Sequence, residues 1–97
     1  MDLEKELWGK IEQRENLLEK KEKEYNDTFP TMFNYPEIRN WYSENISFID
    51  DEIVKLANEV LSRYNRELVK DIKDVYDNNF LIDLHSKENS LNKVKKR

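Results

Sequence analysis

SFIDDEIVKLANEVLSRYNRELVKDIKDVYDNN, residues 47–79, is the stretch whose reading decides the fold. Ile49, Ile53, Leu56, Val60, Tyr64, Leu68, Ile72 and then Val75 or Tyr76 recur every three or four residues. That spacing places one apolar stripe along a single helix, predicted over 48–79 and able to continue to His85 through Phe80 and Leu84. At 1.5 Å per residue such a helix is roughly 45 to 50 Å long, whereas a compact globule of this size has a radius of gyration of about 13 Å. Something elongated must therefore cover the stripe. Ser47 can cap the helix with Asp50 at the capping-box position, and Asp50, Asp51 and Glu52 suit the positive end of the helix dipole. Asn78 and Asn79 are residues that tolerate a helix end.

The partner element lies upstream. Leu3, Leu7, Ile11, Leu18 and Tyr25 fall on one face of a helix predicted over 2–25, with Trp8 and Leu17 beside it. Ile11, Leu18 and Tyr25 are seven apart, but the companion row Leu7, Arg14, Lys21 turns basic, so a regular zipper is not expected. Gly9 is unfavourable in a helix interior by about 1 kcal/mol against Ala. Between the two helices, Pro30 and Pro36 interrupt an aromatic stretch containing Phe29, Phe33 and Tyr35. Pro36 suits the first position of a short helix, predicted over 36–44, that carries Trp41 and Tyr42.

Composition agrees with an all-α chain. The single glycine and two prolines are too few for the turns of a sheet fold, and 39% of residues are charged against about 25% in an ordinary domain. Apolar residues make up only 37%, so two stripes facing each other leave little core for one copy. The expected fold is an elongated antiparallel hairpin of long helices closed by the short aromatic-rich helix. One domain spans 1–85, and two copies are expected to assemble as a homodimeric helical bundle. Residues 86–97 are expected to form a basic polar tail, frayed or disordered.

The function classes narrow accordingly. Without cysteine there is no disulfide, thiolate nucleophile or zinc knuckle, and no segment reads as a signal peptide or a transmembrane span. A cytoplasmic protein is expected. His85 beside Asp83 and Ser86 is too little for a catalytic triad. Glu67, Asp71, Asp74 and Asp77 read as an acidic surface, with Lys70 and Lys73 set among them, rather than as a metal site. No enzyme activity and no cofactor are expected. Formal charge runs −2 over 1–25, −2 over 26–46, −4 over 47–85 and +4 over 86–97. The expected activity is binding to another protein, as an acidic adaptor or an inhibitor- or immunity-type protein. Trp8, Phe33, Trp41, Tyr42, Phe80 and Leu84 are the candidate contacts, because aromatic residues carry much of the energy at interfaces. The alternative is nucleic-acid association through Lys93, Lys95, Lys96 and Arg97.

Overall fold

Asn65 turns the chain back on itself. In a computed structural model that describes residues 2–86, the backbone of Asn65 takes a left-handed φ of 55°. The Arg66 N–H donates to the Leu61 carbonyl at 2.9 Å and the Asn65 N–H to the Ser62 carbonyl at 3.2 Å. This pair of bonds satisfies the last carbonyls of a helix, and Asn is among the few residues that adopt the required conformation at small cost. The helix predicted over 48–79 therefore ends at Arg63.

The described elements are α1 (Leu3–Tyr25), α2 (Phe29–Met32), α3 (Pro36–Asn45), α4 (Ser47–Arg63) and α5 (Ile72–Tyr76), followed by a helical segment over 79–86, here α6. Over the described residues the chain is 79% helical with no strands, and their radius of gyration is 13.9 Å against 11.9 Å expected for a compact chain of that length. The all-α, elongated reading of the sequence holds. α1 and α4 run antiparallel: Arg14 meets Asp50, Lys10 meets Glu52 at 2.8 Å, and Glu4 meets Tyr64. Their facing sides supply Leu7, Ile11, Ile49, Ile53, Ala57, Val60 and Leu61 to one buried core. The stripe on α4 thus passes through Ala57 and Leu61. Tyr64 and Leu68, assigned to it from the sequence, are 45% and 57% exposed because they lie at and beyond the reversal.

Residues beyond the reversal fold over the hairpin. Asn58 holds them by a side-chain amide that imitates a backbone pair: its Nδ2 donates to the Val69 carbonyl at 3.0 Å, and its Oδ1 accepts from the Val69 N–H at 2.8 Å. Val69, Val75 and Leu81 then join the same core as Leu7 and Ile53. Asp71 caps α5 by accepting from the Asp74 N–H at 3.0 Å, while the Asp74 carboxylate accepts from the Lys70 N–H at 3.1 Å. Asn78 starts a helix instead of ending one; its Oδ1 accepts from the Leu81 N–H at 3.0 Å. Tyr76 reaches Glu15 and His85 stacks on Trp8 at 4.2 Å, so α5 and α6 lie along α1. Part of the cover that the sequence assigned to a second copy comes from this returning segment.

At the other end, α1 closes on Asn26, again left-handed, with the Asp27 N–H donating to the Glu22 carbonyl at 3.1 Å. Pro30 lies in the first turn of the short α2, where a missing N–H costs nothing, so Phe29 is helical despite preceding a proline. Pro36 opens α3 as expected. Ile46 alone separates α3 from α4, and no side chain caps α4. The Ser47 hydroxyl instead donates back to the Tyr42 carbonyl at 3.5 Å, and Asp50 is committed elsewhere. Among the described residues no helix is long and apolar enough to cross a membrane.

Gly9 sits on the outer face of α1, and a Cβ built there would meet nothing within 4 Å. Gly9→Ala is therefore expected to stabilise the protein by about 0.5–1 kcal/mol, through helix propensity alone. Thermal unfolding followed by circular dichroism should show a rise of about 4 °C.

Candidate functional site

The row Leu7, Arg14, Lys21 on α1 puts a guanidinium where a core residue would stand, and the chain builds a polar node around it. Arg14 is 8% exposed. Its Nε donates to Asp50 Oδ1 at 2.6 Å, Nη1 to the Tyr76 hydroxyl at 3.1 Å and Nη2 to the Tyr42 hydroxyl at 3.0 Å. Tyr42 in turn donates to Asp50 and Tyr76 donates to Glu15. The guanidinium also lies over the Tyr76 and Tyr42 rings, 5.2 and 5.9 Å from their centroids. One side chain thus ties α1 to α3, α4 and α5.

Electrostatics at the node follow from this pairing. Burial on its own would lower the Arg14 pKa, but the hydrogen bonds to Tyr42 and Asp50 and the charges around it raise it overall. Burial and the bond to Asp50 raise Tyr42, with Arg14 acting against them. Burial and the bond to Glu15 push Tyr76 from 10.0 to about 12, again with Arg14 opposing. A tyrosine whose folded pKa is raised holds its proton more tightly in the folded state. Its contribution to stability is therefore complete below pH 10 and is lost as pH climbs from 10.0 to about 12. Absorbance of phenolate against pH should show one tyrosine ionising near 12, and Tyr76→Phe should remove that step.

The six candidate contact residues fall into two groups. Trp8, Phe80 and Leu84 gather near the start of α1 and pack on the core. There Trp8 stacks on His85, and the Phe80 ring meets Tyr64 at 5.1 Å and lies under the Arg66 guanidinium at 4.2 Å. Phe33, Trp41 and Tyr42 lie at the other end. Tyr42 belongs to the Arg14 node, Trp41 is half-buried, and Phe33 is 38% exposed. The acidic candidates separate as well. Asp71 and Asp74 serve as caps around α5, and Glu67 stands outside any helix, so they do not share a helical face. Glu67 and Asp77 both line a groove of about 550 Å³, with Leu61, Arg66 and Phe80, at the reversal. Lys93, Lys95, Lys96, Arg97 and the rest of the basic tail lie outside the described residues.

The end formed by the last turn of α1 with α2 and α3 is an aromatic assembly. Phe29, Phe33 and Tyr42 are in mutual ring contact at 5.4 to 5.7 Å. Tyr25 stacks on Tyr35 at 6.2 Å. Met32 and Ile38 are fully buried beneath, and Arg39 Nη1 donates to the Phe33 and Asn34 carbonyls at 3.2 and 3.0 Å, holding the loop between α2 and α3. On this support Phe33 and Tyr35 (41% exposed) face outward, and Phe48 in the first turn of α4 is 54% exposed. Tyr35 and Phe48 were missed as candidates. Their sequence signal, aromatics beside a proline and at a helix start, is shared with ordinary core residues. Lys21 Nζ lies 5.1 Å from the Trp41 ring centroid and 5.8 Å from that of Tyr25, with the Glu24 carboxylate at 3.3 Å.

The fold and its aromatic end define an elongated α-helical protein with a polar node in its core. Comparison with protein-family models, curated proteins and solved structures finds no match to the chain.

Proposed function

We propose that this chain is a non-catalytic protein-interaction module of the cytoplasm, an adaptor or an inhibitor- or immunity-type protein that acts by occupying a target. The observation that carries this reading is the outward display of Phe33 and Tyr35 on a loop fixed by Arg39. Exposed rings on a rigid support lose little conformational freedom on binding, which favours affinity. The node around Arg14 is consistent with a structural role, since its hydroxyls and carboxylates are engaged with one another.

A photo-crosslinking residue at position 33 tests the reading in the native host. The expected result is one predominant crosslinked protein, lost in Tyr35→Asp while the melting temperature stays unchanged. Equal crosslinking by Tyr35→Asp would contradict it. The homodimer expected from the sequence is a bundle of two hairpins, and self-association through these rings is a different occupant of the surface; sedimentation equilibrium at tens of micromolar protein shows whether the chain pairs with itself at all. The basic side chains of the last eleven residues favour nucleic-acid association as a second reading. Deleting residues 87–97 should then abolish a salt-sensitive shift of DNA or RNA, and a shift that survives the deletion eliminates it.

A further inference from the structure

We infer that the aromatic end is a docking surface for a basic peptide segment of the partner protein, and that Lys21 holds the place of its cationic side chain. The inference rests on the proposed interaction role and specifies the chemistry of the partner. Two rings and a carboxylate surround an ammonium here: Trp41 at 5.1 Å, Tyr25 at 5.8 Å and Glu24 at 3.3 Å. Ring faces attract cations through their quadrupole, and the adjacent carboxylate adds charge, so this is the arrangement that proteins use to bind alkylammonium groups. The Tyr25 ring is supported in turn by Tyr35, on which it stacks at 6.2 Å. The Lys21 side chain is only 18% exposed. An external lysine can exchange with it ammonium for ammonium, and its neighbours in the peptide then reach the exposed Phe33 and Tyr35.

Charge selects the same partner. The three segments up to residue 85 carry −2, −2 and −4, so the body that presents this surface stands at −8. Two basic side chains of α1 and α3 are already engaged: Lys23 by Glu19 at 3.3 Å and Arg39 by two carbonyls. A basic segment gains long-range attraction to the body and a specific seat at the rings, whereas an acidic or neutral one gains neither.

The probe is a fluorescein-labelled peptide of four Lys-Lys-Leu repeats, with Glu-Glu-Leu repeats as control, titrated against the full chain at about 0.15 M ionic strength. Saturable binding of the basic peptide alone is expected. Lys21→Ala vacates the seat and should tighten binding about fivefold, while Trp41→Leu should weaken it by a similar factor. Lys20→Ala removes the same charge without opening the seat, so an effect equal to that of Lys21→Ala would overturn the assignment to Trp41 and Tyr25. Absence of saturable binding by wild type and Lys21→Ala would overturn the proposal, even where crosslinking from position 33 still captures a protein. Two other occupants are separated by the same titration. Tighter peptide binding by a chain truncated after residue 86 would give the surface to the protein's own tail. A dimer that Trp41→Leu dissociates would give it to a second copy. Either result replaces the partner peptide.

Discussion

Arg14→Met is expected to destabilise the protein by about 3–5 kcal/mol, the usual cost of removing one member of a buried ion pair. The charge of Asp50, whose side chain is 13% exposed, would stay behind without the 2.6 Å bond that offsets its removal from water. Tyr42 and Tyr76 would each lose their bond from the guanidinium. For a domain with a total stability of about 5–15 kcal/mol this is a large share, and the melting temperature should fall by on the order of 15 °C. The same reasoning sets the sign of a control. Arg14→Met combined with Asp50→Leu removes both charges together, so the double variant should recover much of the loss. A coupling near zero between the two substitutions would mean that the node contributes little. Arg14→Lys should be closer to Arg14→Met than to wild type, because a single ammonium cannot reproduce three directed N–H bonds.

Asn58→Leu is the second large effect, expected at about 2–4 kcal/mol. Both amide bonds to Val69 are lost, and a partly buried backbone N–H and carbonyl are left without those partners. Its consequence should be local first. Amide exchange should accelerate across residues 66–76 before the α1–α4 hairpin opens, since that hairpin keeps its own buried residues. A uniform rise in exchange over the chain would show instead that the returning segment and the hairpin unfold as one unit.

These two residues also mark where the sequence was legible and where it was not. α1, α3, the antiparallel pairing of α1 with α4 and the all-α class were readable from periodicity and the two prolines, because those signals are local. The reversal was not. Leu68, Ile72 and Val75 keep the three-to-four spacing of α4 across Asn65, and a periodicity count does not register a change of direction. The only local cue was Asn65 itself, one of the residues that tolerate a left-handed cap. Asn78 offered the same cue further on, yet there the side chain opens a helix. Arg14 was visible as a basic residue in an apolar row, but its partners Tyr42, Asp50 and Tyr76 come from three elements that each lie far from it in sequence. Among the candidate contacts, Trp8, Phe80 and Leu84 turned inward because the returning segment brought a second layer over α1. Phe33 stayed outside because the loop that carries it has no layer above it.

The reversal at Asn65 is the claim on which the rest depends: it supplies the second layer over α1 that turns Trp8, Phe80 and Leu84 inward. The chain has no cysteine, so Gly9→Cys with Ser86→Cys places two spin labels without further change. Gly9 adjoins Trp8 and Ser86 adjoins His85, whose rings stack at 4.2 Å. Pulsed dipolar spectroscopy should give a separation under about 20 Å. If 47–85 were instead one helix antiparallel to α1, residue 86 would stand about 30 Å beyond Tyr64 at 1.5 Å per residue. A distance of roughly 35 Å or more would therefore contradict the fold described.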